Sequence, residues 1–340
     1  MKLEENKSLK DYLTMRLGGK ARYFAEIQTK DDVVEAFQFA AAHQLKTFVI
    51  GGGSNTLADD EGFDGLVMHM CLKGRTILED NADDIVIRYG AGEILDEVIS
   101  ESVDMHLTGI EAMSLIPGTI GAAPVQNVGA YGQDISQSFV ELEAYDMHTR
   151  AFVTLSKEDC QFAYRASIFR GKDWGRYIIV SVTLRLQKGN PQPPFYKQVQ
   201  ARLDEKGITS YTPALIRETV IEIRKWKLPD PHYIPNSGSF FKNAIITKQK
   251  LAHLQEKYPT LKGFAMGNDT FKISTGWLID QAGLKGASMY GMRVHDRNAL
   301  VLTNVGAKSY HALAKAREDI IAEVNKQFGI KIVQEVLEMH

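Results

Sequence analysis

Cysteine is nearly absent from the 340 residues: Cys71 and Cys160 are the only two, with no CxxC spacing and no histidine pattern beside them. That argues against a disulfide framework or a thiolate zinc site and leaves reduced thiols as the expectation. A charge bias is missing too. Forty basic residues face 42 acidic ones, a formal net charge of −2, so no global field draws the chain to nucleic acid or an anionic membrane. An anionic ligand would have to be met by local cations. No window approaches a membrane-spanning run, and the opening MKLEENKSLKDY has no apolar h-region, so a soluble cytoplasmic protein is expected. The nine histidines contain no HExxH pair, and no metal is expected. There is no GxxxxGK[ST] phosphate loop, Thr56 stands where GxGxxG needs its third glycine, and no GxSxG elbow occurs. P-loop, Rossmann and acyl-enzyme readings therefore lack support. No internal repeat or low-complexity tract is visible.

What the chain does have is glycine in two places. The segment LIPGTIGAAPVQNVGAYG, 115–132, sets Gly118, Gly121, Gly129 and Gly132 between apolar residues, with Pro117 and Pro124 holding its shape. Glycines there let the backbone take positive φ and approach a ligand, leaving amides to point at an anion. The alternative is a run of tight turns. A second cluster, GGGSN at 51–55, follows LKTFVI, which reads as a short buried strand. Two such loops suggest a long diphosphate ligand gripped from both sides by backbone amides.

At 340 residues with 44% hydrophobic content, two or three subdomains are expected. Thr29 can cap a helix over 30–44, with Asp31 and Asp32 in its first turn. From about 65 to 190 the pattern is strand-rich: GLVMHM, DIVIRYGAG, FVELEAYDM, AFVTL and YIIVSVTLRL, interrupted by a short helix near Ile94 to Ser102. KGNPQPPFYK marks a linker or mobile loop. Beyond it, helices are expected from Thr212 and Pro213 through Lys225, then near Thr247 to Lys257, Thr275 to Gln281 and Ser309 to Phe328, the last closed by Gly329.

Four features could carry chemistry. In YRAS, Arg165 beside Tyr164 could hold a carboxylate bidentately; a surface arginine is the bland competitor. In NSGSFFKN, small neighbours expose the Ser239 hydroxyl while Phe240 and Phe241 bury the strand beneath, so Ser239 is a nucleophile, a proton donor or a turn residue. In IKIVQEVLEM, strand alternation sets Lys331, Val333, Glu335 and Leu337 on one face. A carboxylate there must be paired or working, or the strand is an edge with one wet face. Lys227 before LPDP and Lys285 in AGLKG suit phosphate, although most lysines are simply solvated.

Taken in order, GGGSN, IPGTIGAAPVQNVGAYG, YRASIF, KLPDP, GSFFKN, GWLIDQAGLKG, HDRNALVLTN and the late Glu335 make the chain resemble, nearly end to end, the bacterial UDP-N-acetylenolpyruvoylglucosamine reductases, the MurB family of flavoproteins. The resemblance implies an α+β fold: a vanillyl-alcohol-oxidase (PCMH)-type FAD-binding domain of two α/β subdomains plus a C-terminal α+β substrate domain. The implied boundaries are 1–72 and 73–190 for the subdomains, a PCMH-type module at about 14–189, a mobile loop and connecting helix at 191–226, and a substrate domain at 227–340 whose last strand returns to the flavin. The subtype with a tyrosine-bearing loop is the nearer one, with Tyr196 as that tyrosine.

The family's reaction, so implied, is NADPH-dependent reduction of UDP-N-acetylglucosamine enolpyruvate through non-covalent FAD, in peptidoglycan precursor synthesis. Ser239 would be the proton donor, with Arg165 and Glu335 bracing the substrate carboxyl. Gly51, Gly52, Gly53, Ser54, Asn55, Pro117, Gly118, Thr119, Gly121, Ala122, Asn127, Gly129 and Tyr131 would hold FAD. Tyr164, Tyr196, Lys227, Asn243, Lys285 and Asn298 would hold substrate. A monomer without nucleic-acid or membrane partners is expected. Three departures stand out: Asn298 where the family leads one to expect glutamine, Leu337 where it leads one to expect arginine, and no acidic second residue in GGGSN. Two alternatives stay open at this point: an oxidase or dehydrogenase of the same fold acting on an alcohol or sugar, and a nucleotide-binding module without redox chemistry.

Overall fold

The structure, a computed structural model, describes residues 1–339. Its backbone forms two compact units, and neither is continuous in sequence. The first comprises Met1–Lys7, Ala21–Gly52 and Asp64–Trp226; the second comprises Ser8–Lys20, Gly53–Phe63 and the chain from Lys227 on.

In the first unit, Thr29 caps the helix Lys30–Ala42 with a reciprocal box: its hydroxyl accepts from Asp32 N at 3.1 Å and the Asp32 carboxylate accepts from Thr29 N at 2.9 Å. Two orphan donors are thus satisfied and the acidic first turn suits the helix dipole. The helix buries Val33, Ala36 and Ala40 in one apolar cluster with Ala25, Ile27, Leu66 and Met68 from a four-stranded sheet. In that sheet Lys46–Ile50 runs parallel to Phe63–Met70. Full burial of each large aliphatic contributes roughly 1.5–3 kcal/mol.

A six-stranded sheet follows, with Tyr177–Lys188 between Phe139–Asp146 and Asp84–Gly90, all antiparallel. The run YIIVSVTLRL reads as strand because Ile178 through Leu184 are buried on both faces, Ser181 and Thr183 included. The short helix expected near Ile94 is Leu95–Asp104. KGNPQPPFYK, expected only as a linker or loop, leads into a helix, Lys197–Glu205, with Tyr196 at its N-cap. Val199 and Leu203 of that helix pack on Ile216 and Val220 of Pro213–Lys227 and on Ala112.

In the second unit, Asn236–Ser239 and Met292–Val294 flank Val301–Asn304, and Ala244–Thr247, Thr270–Ile273 and Gly263–Gly267 form a three-stranded sheet. The helix Tyr310–Phe328 buries Leu313, Ala316, Ile320, Val324 and Phe328, a stripe at helical spacing. Ser309 caps its start, Asp60 accepts from the Tyr310 and His311 amides at 2.6 and 3.0 Å, and Gly329 at φ +60 ends it. Met15, Leu17 and Leu57 share this unit's core with Phe240 and Phe241.

The strand expected over 330–337 is not one. Its only pairing before Leu337 among the described residues is an isolated bridge between Gln334 and Phe241, and strand structure begins at Leu337–Met339, parallel to Thr56–Ala58. Val333 is 60% exposed while Glu335 is 9% exposed, so the two do not share one environment. A bend follows at Val336 before the Leu337–Met339 strand begins. Among the described residues no helix is long and apolar enough to cross a membrane.

Candidate functional site

The two glycine loops meet within the first unit. A Cβ added to Gly52 would stand 3.0 Å from Gly118 Cα, and one added to Gly51 would stand 2.4 Å from Thr119 Oγ1. Glycine is needed there for close approach. Positive φ is narrower than expected: Gly118 at +118° and Gly132 at +87° adopt it, whereas Gly121 and Gly129 are pressed against Ala91 and Asp134, where a Cβ would lie 2.5 Å from their side-chain Cβ atoms. Leu115, Asn127 and Tyr131 also lie in the left-handed region, a conformation a ligand-shaping loop can hold but an ordinary turn seldom repeats.

The expectation of open amides is also corrected in part. Ile120, Gly121 and Ala122 donate to Glu93, Ala91 and Thr119 carbonyls at 2.8, 2.9 and 3.1 Å, and Val128 donates to Ala123 at 3.0 Å. Asn127 is buried, its Oδ1 accepting from Ser136 N and its Nδ2 donating to Ala163 O, so its side chain fastens the loop to its neighbours. Thr119 differs. Its Oγ1 is buried without a hydrogen-bond partner among the described residues, a cost that a bound polar group would relieve.

Arg165 adopts φ +52 and reaches back to this loop: its guanidinium donates to Asn127 O at 3.3 Å and Gly129 O at 2.7 Å, and stacks over the Tyr164 ring. Tyr131 meets Tyr196 edge to face, ring centroids 5.8 Å apart, and Tyr196 is 50% exposed beside Gly132. Burial raises the Tyr131 hydroxyl pKa.

Sequence reasoning missed a set of charges under the loop. Arg224 is half-buried and donates to Leu115 O at 3.2 Å, while its Nε is buried with no partner among the described residues. Burial pulls its pKa below the usual arginine value. Asp96 accepts from Leu115 N at 2.6 Å and from Arg217 bidentately at 2.6 and 3.2 Å. Burial opposes ionisation of Asp96, but those donors hold its carboxyl below the usual range. The available signal was a spacing: Arg217 and Arg224 stand seven apart on one helix whose Ile216 and Val220 are buried.

His69 Nδ1 lies 3.3 Å from Cys71 Sγ, a contact between residues two apart at the end of one strand. Among the described residues no group of three or more His, Cys, Asp or Glu side chains could hold a metal.

In the second unit Glu335 is hydrogen-bonded to Phe240, the residue after Ser239. Gly238 at φ +65 breaks the register between Asn236 and Ser239, and Asn236 Oδ1 accepts its amide at 2.9 Å. Ser239 then ends the strand opposite Val301. The next residue, Phe240, is fully buried, and its carbonyl accepts the Glu335 amide at 2.8 Å. Glu335 itself is buried. Asn298 Oδ1 accepts from Leu300 N, and Leu300 O accepts from Phe240 N, which ties that turn to the serine strand. Asn243 Oδ1 accepts from Thr275 N at 3.2 Å. Lys285, between Gly283 and Gly286 at φ +76, is ion-paired with Asp280 at 3.0 Å, and Lys227 is half-buried at the end of its helix. Of the first loop's remainder, Gly53 at φ +60 passes so near Tyr12 that a Cβ would lie 1.8 Å from its carbonyl oxygen, and Asn55 O accepts the Leu337 amide. Pro117 and Ala122 are exposed, and Ser54 is half-buried.

Residues 21–150 match an FAD binding domain, and residues 230–338 match the UDP-N-acetylenolpyruvoylglucosamine reductase C-terminal domain. The UDP-N-acetylenolpyruvoylglucosamine reductase of Pseudomonas putida is 38% identical over 335 residues, covering 98% of this chain and 97% of its own. That of Amoebophilus asiaticus is 38% identical over 339 residues, covering 99% of each. The crystal structure of the Thermus caldophilus reductase superposes with a TM-score of 0.69 at 22% identity over 100% of both chains, a likeness of fold.

Proposed function

The chain belongs to the UDP-N-acetylenolpyruvoylglucosamine reductase family, and from that premise we propose that it reduces UDP-N-acetylglucosamine enolpyruvate to UDP-N-acetylmuramate with NADPH, supplying peptidoglycan precursor. Its fold is the α+β pairing of a vanillyl-alcohol-oxidase (PCMH)-type FAD-binding module with that family's C-terminal domain. FAD fits the first unit on two grounds: the unpartnered Thr119 hydroxyl, and the Gly51–Gly52 and Gly118–Thr119 approach that any Cβ would fill. Bound there, FAD supplies the hydride transfer between NADPH and the vinyl carbon of the substrate. Backbone and side chains of 51–55 and 117–131 are its proposed seat.

The chain's own part is to hold the enolpyruvyl group and supply a proton. With hydride delivered to C3, the electron pair left at C2 takes a proton from the Ser239 hydroxyl. A hydroxyl is a weak acid in water, but transfer to an enolate-like centre is downhill when donor and acceptor are already aligned. Arg165 and Glu335 brace the carboxyl as its charge grows. Tyr164, Tyr196, Lys227, Asn243, Lys285 and Asn298 are assigned to the rest of the substrate. For Lys285 this requires its Asp280 partner to be exchanged for phosphate, which its half-exposed position allows. Tyr196, half-exposed against Tyr131, supports the tyrosine-loop subtype. We assign residues 1–72 and 73–190 to the two flavin subdomains and 227–340 to the substrate domain, in a monomeric cytoplasmic enzyme.

One observation supports this reading: Glu335, distant in sequence, donates its amide to the carbonyl of Phe240, the residue next to Ser239. Ser239→Ala tests it. Flavin reduction by NADPH is expected to stay at the wild-type rate while reoxidation by the enolpyruvyl substrate slows roughly 100- to 10,000-fold. Equal slowing of both halves refutes the assignment.

A further inference from the structure

We propose that Arg317 is a positioning residue for Glu335, gripping the chain on both sides of it. The inference rests on the functional reading above and extends it to a residue with no part in binding. Glu335 sits at a junction between two short pairings, the isolated Gln334 to Phe241 bridge before it and the Leu337–Met339 strand after it, with a bend at Val336 between them. A carboxylate that must be placed within about 0.5 Å at such a junction needs the chain held on both sides of it by side chains as well as by backbone. The support comes from the helix Tyr310–Phe328. Arg317 Nη1 donates to Gln334 Oε1 at 2.8 Å and to the Glu338 carboxylate, so one guanidinium binds the residue before Glu335 and the third residue after it.

The grip is closed by further contacts. The Tyr310 hydroxyl donates to the same Glu338 oxygen, and Gln334 Nε2 donates to Val336 O at 2.8 Å across the bend. Arg317 and Glu338 are 16% and 19% exposed, and their helix is pinned by Ser309 and Asp60 at its start. Burial would raise the Glu338 carboxyl, but Tyr310 and Arg317 outweigh it and hold it below the usual range, so the pair is ionised at neutral pH. The pair adds no net charge near Glu335. Its effect there is geometric, and a guanidinium can bind two acceptors at once where an ammonium is a poorer substitute.

The test uses the FAD holoenzyme and measures the two half-reactions by stopped flow in R317M, R317K, E338Q, E335Q and R317M/E335Q, with amide exchange over 333–339. In R317M, reoxidation by the enolpyruvyl substrate is expected to slow about tenfold or more while reduction by NADPH changes less than about twofold. R317K recovers part of the loss, and E338Q, the milder variant should R317M not fold, shows the same one-sided loss. In the E335Q background R317M costs less than about twofold, because both changes act through one carboxylate. The Glu335 and Leu337 amides exchange faster in R317M. An unchanged reoxidation rate, equal slowing of both halves, or the full loss repeated in the E335Q background overturns the proposal. If wild-type reduced enzyme is not reoxidised by that substrate, the functional reading itself fails; if it is, and R317M matches it, the positioning role alone falls.

Discussion

Replacing Gly52 by Ala places a methyl group 3.0 Å from Gly118 Cα, where carbon atoms prefer about 3.5–4.0 Å. The neighbour is backbone in a loop already tied by the Leu95 N to Gly118 O bond, so it can give only by moving the loop. Overpacking of this kind costs about 1–3 kcal/mol. Charged entirely to the cofactor complex, that is a weakening of FAD affinity of about 5- to 150-fold. Gly51→Ala should be worse, since its methyl meets Thr119 Oγ1 at 2.4 Å, and Gly306→Ala, which meets nothing within 4 Å, should be neutral. The assay is titration of apoprotein with FAD, followed by flavin fluorescence quenching, with thermal unfolding of each apo variant as the control for folding. The expected order of dissociation constants is Gly51→Ala above Gly52→Ala above Gly306→Ala, the last equal to wild type. If Gly52→Ala keeps wild-type affinity in a normally folded apoprotein, the close approach of the two loops is no part of the flavin seat.

Thr119→Val removes a buried hydroxyl that has no partner among the described residues, so the apo form should melt no lower and FAD should bind several-fold more weakly; a loss of apo stability would mean the hydroxyl is satisfied without a ligand. Asp146→Asn should destabilise the first unit by about 2 kcal/mol in urea unfolding, because Asp146 is buried against Arg176 at 3.0 and 2.8 Å while the arginine is partly exposed. Arg176 holds the Asp146 carboxyl far below the usual range. A carboxyl depressed on folding contributes stability that is complete above its unfolded pKa of about 3.9 and is lost as pH falls through the folded value. Wild type should therefore lose stability below about pH 4 more steeply than Asp146→Asn, and parallel acid limbs would contradict this.

Local rules were legible where local physics decides. Thr29 with Asp32, Ser309 with Gly329, and the apolar run at 177–186 name their elements because caps and two-sided burial act within a few residues. The glycine loops were legible as a pair, but not their division of labour: whether Gly121 is pressed on Ala91 or turned to positive φ depends on where a distant strand end lies. Lys197–Glu205 was hidden because prolines precede it and two buried residues, Val199 and Leu203, carry its packing. Glu335 misled through an assumed continuous strand, whereas the described chain has one isolated bridge there and then a bend at Val336. Arg224 was unreadable as anything but a charged helix position until the loop carbonyl it meets was in place.

The threading of Ser8–Lys20 and Gly53–Phe63 into the unit completed by the chain beyond Lys227 sets a timetable for biosynthesis. On the ribosome these two early ribbons emerge long before their partners, and Thr56–Ala58 waits with an open edge until Leu337–Met339 is translated. A fragment begun at Lys227 would lack both that edge and the Asp60 that receives the last long helix, so the nascent protein must hold its first sixty or so residues in trust for its last.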